Sequence, residues 1–223
     1  MITQPQFHRL AVLCSGGLDS AILLAESLSQ YQDVYPIYVR MGLQWEAIEF
    51  EYLEQFLAEI RADSLRMVKV IDLPIRDIYG AHWSTTGDSI PDDQSPDEAV
   101  YLPGRNVLLL AKAIIWCHIM EIPALALAPL ASNPFPDATD EFFAIYGHAV
   151  NMAIQGSVKI IRPFAHLSKI QVLQRAVGMP LRYTFSCINP IKNRHCGRCN
   201  KCAERQNAFT QAGLDDPTDY AWI

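Results

Sequence analysis

LAVLCSGGLDSAILLAESL, residues 10–28, decides the fold. Its first five residues are an apolar run of strand length, its last eight repeat apolar side chains at helical spacing, and SGGLDS stands between them. A strand that turns through two glycines into a helix is built to hold an anion. The glycines open backbone angles closed to other residues, successive N–H groups face one concavity, and the helix N-terminus adds partial positive charge. Leu13 and Cys14 lead into this loop, Ser15, Gly16, Gly17, Leu18, Asp19 and Ser20 form it, and Ala21 and Ile22 carry it into the helix. Ser15 and Ser20 can add hydroxyl hydrogen bonds. A carboxylate at Asp19 repels phosphate unless it caps the helix or shares a divalent cation with the phosphates, Mg2+ being the usual partner of ATP. The loop lacks the lysine of G-x-x-x-x-G-K-[ST] and the glycine spacing of G-x-G-x-x-G, so neither of those fingerprints applies.

Working outward, further apolar runs of strand length fall at residues 34–39, 65–71, 124–128 and 159–161, most of them separated by segments with helical spacing. That alternation predicts an α/β fold with a doubly wound, mainly parallel, Rossmann-like sheet. Trp45, Ile48, Tyr52, Phe56 and Ile60 share one helical face, leaving Glu46, Glu49 and Glu59 for the other. Residues 106–120 form the most apolar helical segment, entered through Pro103-Gly104 and expected to pack within the sheet sandwich. Residues 168–177 read as a helix capped by Ser168 and stopped by Gly178 and Pro180. Residues 72–99, which include STTGDSIPDDQSPDE, are too long and polar for an ordinary connection, and read as a disordered surface insertion or as a lid over substrate.

Half of the 223 residues are hydrophobic, enough for a full core, and the formal charge of -6 argues against a surface built for nucleic acid. No apolar run approaches the roughly 20 residues of a membrane span, and the expected location is cytoplasmic. Four of the six cysteines crowd near the C-terminus. Cys187, Cys196, Cys199 and Cys202 have the spacing C-x8-C-x2-C-x2-C, with Gly197 allowing a tight turn. Four converging thiolates suit a closed, structural zinc site, an iron–sulfur cluster being the rival reading and disulfides the reading for an oxidising compartment. His195 reads as a supporting neighbour or a solvent-facing residue. Cys14 and Cys117 sit alone in apolar stretches typical of inert thiols. The chain thus divides into a nucleotide-binding unit, residues 1–180, and a small zinc-binding element, residues 181–223.

SGGLDS after an apolar strand resembles the signature of the PP-loop ATP pyrophosphatases, which have an adenine nucleotide alpha hydrolase-like fold. With PGRN at residues 103–106, PFAHLSK at residues 163–169 and the run SCINPIKNRHCGRCNKCAERQNAFTQAGLDDPTDY at residues 186–220, the resemblance becomes specific. Over nearly its full length the chain is similar to the 7-cyano-7-deazaguanine synthase family. That resemblance implies ATP-dependent conversion of 7-carboxy-7-deazaguanine and ammonia to the nitrile through adenylated intermediates, in queuosine biosynthesis. It also implies one zinc per subunit, a homodimer, and a small-molecule substrate without direct contact to nucleic acid or membrane. Within this frame Arg105 and Lys169 are the candidate catalytic cations, or else surface ion-pair partners.

Two segments depart from the family pattern. Arg40-Met41-Gly42-Leu43-Gln44-Trp45 stands where the family has a Tyr-Gly-Gln-Arg-His-like stretch, and ASNPFPDATDEF at residues 131–142 replaces a DYSGYPDCRPEF-like one. Both fall where strands of a doubly wound sheet end and ligands bind. Asp137, retained there, reads as an acceptor for a deazaguanine edge or as an N-terminal acid of the helix that follows. Alternative functions are a PP-loop ligase acting on another carboxylate or deazapurine, and a PP-loop tRNA-thiolating enzyme.

Overall fold

The computed structural model of the protein describes residues 7–221 and is centred on a five-stranded, all-parallel sheet. In chain order the elements are β1 (Arg9–Leu13), α1 (Leu18–Ser27), β2 (Asp33–Arg40), α2 (Glu46–Glu59), β3 (Lys69–Asp72), α3 (Arg76–Tyr79), α4 (Trp83–Thr86), α5 (Arg105–Ile119), β4 (Ala124–Ala126), α6 (Asp140–Ile154), β5 (Lys159–Ile161), α7 (Lys169–Arg175) and α8 (Asn200–Ala212). The strand order is β3-β2-β1-β4-β5, so the chain leaves β1 toward one edge and returns to β4 on its other side. This reversal opens a crevice at the C-terminal ends of β1 and β4. Residues 1–6 and 222–223, the outer ends of the two units assigned above, lie outside the described residues.

Both faces of the sheet are covered, which explains why its strands are apolar throughout. Leu10, Val12, Val34, Tyr38, Ala124 and Ala126 point toward α1, α7 and Phe209 of α8. Ala11, Ile37, Val39, Leu125 and Leu127 point toward α5 and the cluster of C-terminal cysteines. The third expected strand is shorter than its apolar run. Leu65 bridges Val34, and the ladder resumes with Lys69 opposite Ile37, so one residue too many lies on the β3 side. Met67, 91% exposed, is turned out at this bulge.

Three other expectations are corrected. Helix α5 is not enclosed: it buries Leu110, Ala113, Ile114 and Cys117 but exposes Ile115 and Ile119. Glu49 does not face solvent, because at four residues from Trp45 and from Leu53 it falls on the apolar face of α2, where it is buried. Residues 72–99 are not disordered. They fold into α3, α4 and an extended return that is anchored on the C-terminal element, Asp92 bridging Cys199 and Asn200 Nδ2 donating to Ser95 O at 2.8 Å. Helix α7 has the expected start, with Ser168 and Gln171 forming a reciprocal capping box. No helix among the described residues is long and apolar enough to cross a membrane.

Candidate active site and cysteine cluster

The loop after β1 enters the crevice and is held from two sides. Gly16 has φ +71, and a Cβ there would stand 3.0 Å from the carbonyl oxygen of Glu49, so both conformation and space require glycine. Its carbonyl accepts from the Phe185 amide at 2.8 Å. Inside the loop Ser20 Oγ accepts from Ser15 N at 3.2 Å and donates to Gly17 O at 3.2 Å, and the Ser15 and Ser20 hydroxyls stand 3.3 Å apart. The amides at the start of α1 have no side-chain cap. They remain open to an anion.

Asp19 neither caps α1 nor stands free. Its Oδ2 pairs with Lys169 Nζ at 2.6 Å, while Oδ1 is buried without a partner among the described residues. Lys169 also reaches Glu204 Oε1 at 3.0 Å, and Lys201 Nζ donates to Glu204 Oε2 at 2.7 Å. Burial works against the Lys169 charge, but Asp19 and Glu204 outweigh it and raise its pKa. Burial likewise opposes the Glu204 charge, and Lys169 and Lys201 hold its carboxyl down to about 2. The network joins α1, α7 and α8.

A cavity of about 400 Å³ runs from this loop to an aromatic end. Leu13, Cys14, Ser15, Gly17, Leu18, Asp19, Ser20, Arg105, Asp137 and Lys169 all line it. Gly16 lies behind it, and Ala21 and Ile22 are core residues, 1% and 0% exposed. At the far end Trp45 stacks on Trp83 with centroids 5.8 Å apart, and Tyr101 on Phe135 at 4.9 Å. Trp45 and Phe135 come from the two segments that depart from the family pattern, and Trp83 from residues 72–99. Such stacked rings can flank a planar heterocycle.

Asp137 does cap a helix, but it is not the helix that follows it. Its Oδ2 accepts from Asn106 N at 2.9 Å at the start of α5, and Asn106 Nδ2 donates to Asp137 O at 2.8 Å, while Thr139 caps α6. Arg105 Nε is buried without a hydrogen-bond partner among the described residues. Sequence reasoning missed Glu49, whose Oε2 accepts from Tyr38 Oη at 2.7 Å at the cavity wall. Burial lifts this carboxyl to about 7 against the opposing Tyr38 hydrogen bond and Arg105 charge. Glu49 stands four residues after Trp45 and four before Leu53, so the helical period itself places it within the buried stripe of α2.

Cys187, Cys196, Cys199 and Cys202 converge behind the cavity, all four buried and their sulfurs within 4.8 Å of one another. Tetrahedral ligation at a metal–sulfur distance near 2.3 Å needs sulfurs about 3.8 Å apart. Cys196 and Cys202 stand 3.8 Å apart, and Cys187 and Cys199 3.9 Å. Amides of Asn189 and Cys196 point at Cys187 Sγ, and those of Arg198 and Cys199 at Cys196 Sγ, bonds that stabilise thiolate charge. The set fits a closed metal site. His195 is neither a member of it nor in solvent: it is 1% exposed, against Phe185, with Nε2 accepting from Ser186 N at 3.1 Å. Cys14 and Cys117 are buried, their thiols pushed up to about 12 by desolvation. The unexpected member of this region is Arg205, whose guanidinium, 1% exposed, donates to Thr184 Oγ1 at 2.9 Å and Ser186 Oγ at 3.2 Å.

Comparison with known proteins agrees with this geometry. A family described as queuosine biosynthesis protein QueC matches residues 9–213. A 7-cyano-7-deazaguanine synthase of Cellvibrio japonicus (strain Ueda107) is 30% identical over 232 residues, covering 96% of this chain and 98% of its own. That of Thiobacillus denitrificans (strain ATCC 25259 / T1) is 31% identical over 228 residues, covering 94% and 97%. That of Syntrophus aciditrophicus (strain SB) is 29% identical over 226 residues, covering 94% and 96%. With the family match running from β1 through α8, the chain belongs to the QueC family of 7-cyano-7-deazaguanine synthases.

Proposed function

We propose that the protein is an ATP-dependent carbon–nitrogen ligase that converts 7-carboxy-7-deazaguanine and ammonia to 7-cyano-7-deazaguanine, releasing AMP and pyrophosphate. The observation that carries this reading is the continuity of one cavity from the SGGLDS loop to the stacked aromatic residues, in a chain of this family. In this reading residues 15–20 cradle the ATP phosphates through amide and hydroxyl donors, and the acid lies toward Trp45 and Trp83. The carboxylate attacks the α-phosphorus, pyrophosphate leaves, and ammonia displaces AMP to give an amide. A second adenylation, at the amide oxygen, makes that oxygen a leaving group, and loss of two protons from nitrogen gives the nitrile.

Arg105, with an unused N–H in the wall, complements charge developing on the phosphates. Lys169 acts there as a point charge whose position is fixed by Asp19 and Glu204. The unpartnered Asp19 Oδ1 suits Mg2+ carried in with ATP. Zinc is the ion that best suits four buried thiolates in a closed set, and its role here is to hold the C-terminal element. The protein works as a homodimer in the cytoplasm, without nucleic acid. Residues 1–180 form its nucleotide-binding unit and 181–223 its zinc element.

The replacement of family residues by Trp45, Ala138 and Thr139 favours a second reading on the same chemistry, in which a related deazapurine acid is the substrate. The test is AMP and pyrophosphate release with magnesium-ATP and ammonium, with and without 7-carboxy-7-deazaguanine, while nitrile is followed by mass. Acid-dependent AMP with nitrile supports the first reading. Acid-independent AMP release counts against it.

A further inference from the structure

An amide formed from an acyl adenylate requires a proton acceptor. Ammonia that attacks the carbonyl becomes a cationic nitrogen, and it must lose a proton before AMP can depart productively. Among the described residues no histidine lines the cavity, and its one cysteine, Cys14, is a buried thiol donating to Val12 O. Most of the carboxylates in the wall are already committed. Asp19 and Glu204 are held by lysines, Glu46 accepts from the amides of Met41 and Gly42, and Asp137 from that of Asn106. Each of these is thus engaged with a cation or a backbone amide. Asp97 is exposed on a 3₁₀ turn. Glu49 differs from all of these: it is buried, its side-chain partners Tyr38 and Trp45 are neutral, and it packs against Gly16 of the loop after β1.

We propose that Glu49 is the proton acceptor for ammonia addition, its carboxylate taking the proton from nitrogen as the C–N bond forms and the C–O bond to AMP breaks. The electron pair of that C–O bond leaves with the AMP phosphate, and Glu49 returns its proton to solvent through the cavity. Burial supports the role, since it lifts this carboxyl to about 7, opposed by Tyr38 of β2 and Arg105 of α5 and assisted by Glu46 of its own helix. The inference rests on the ligase reading above.

Two half-reactions separate the outcomes. Acid-dependent exchange of labelled pyrophosphate into ATP, without ammonium, reports adenylation; amide formation with ammonium reports the step assigned to Glu49. In full-length Glu49→Gln, exchange should stay within about threefold of wild type while amide formation falls about 100-fold, a typical loss for a missing general base. The acid limb of the wild-type rate near pH 7 should vanish from the residual activity. Glu49→Asp, which keeps a carboxyl at shorter reach, should show an intermediate rate and retain the limb. Amide formation at the wild-type rate in Glu49→Gln, or exchange falling in parallel with it in both variants, would overturn the proposal. Wild-type protein silent in exchange would overturn the ligase reading and this inference with it.

Discussion

The amide of Phe185 donates to the carbonyl of Gly16 at 2.8 Å, fastening the phosphate loop to a residue two positions before Cys187. The cysteine cluster and the nucleotide loop are therefore neighbours in the backbone hydrogen-bond network, joined again where Glu204, two positions after Cys202, meets Lys169. An ordered C-terminal element is a condition for an ordered loop.

Metal removal should accordingly loosen the loop as well as the cysteines. Chelation of zinc-loaded protein is expected to raise amide hydrogen exchange over residues 15–20 together with residues 185–202, and to weaken ATP binding about tenfold or more. Exchange mass spectrometry and calorimetric titration of ATP check this. Loss of protection confined to the cysteines would show that the two are uncoupled.

Gly16→Ala should be worse than an ordinary surface change. The left-handed backbone costs a residue with a Cβ about 1 kcal/mol or more, and the new carbon would stand 3.0 Å from backbone that cannot retreat easily. Expected outcomes are a loss of about 2 kcal/mol by urea denaturation and no measurable ATP binding.

Glu49 makes stability depend on pH in a direction opposite to that of an ion-paired acid. Its folded pKa is raised from 4.5 to about 7, so its favourable contribution is complete below 4.5 and is lost as pH rises through 7. The span is on the order of 3 kcal/mol, from about 1.4 kcal/mol per unit. Denaturant midpoints measured from pH 4.5 to 8 should fall in wild type relative to Glu49→Gln. Parallel curves would refute the buried, raised carboxyl.

Arg205→Met removes a buried charge but leaves the hydroxyl oxygens of Thr184, Ser186 and Thr218 without its N–H donors. Loss of a buried, hydrogen-bonded charge of this kind costs about 3 kcal/mol, and in a chain of this size the melting temperature should fall by about 6–12 °C. Lysine should not rescue it, since one ammonium cannot span the partners of a planar guanidinium.

Much of this protein was legible in its sequence. Alternating apolar runs and helical periods are local properties, so strand and helix identities followed from them, as did the Ser168 cap. The glycine pair and the cysteine spacing are short-range geometry, and they marked the turn from β1 into α1 and a four-cysteine cluster. Glu49 was misplaced because its charge was weighed above its position: four residues from both Trp45 and Leu53, it shares their buried face of α2. Its partner there, Tyr38 of β2, appears only in the fold. Asp137 caps α5 across 31 positions of sequence, and residues 72–99 are ordered by Cys199 and Asn200, far along the chain. The sequence alone determined the element types, the glycine turn from β1 into α1 and the four cysteines that converge. Tertiary structure alone decided that the buried Glu49 lies beside that loop and meets Tyr38, because desolvation and hydrogen bonding depend on neighbours that only folding assembles.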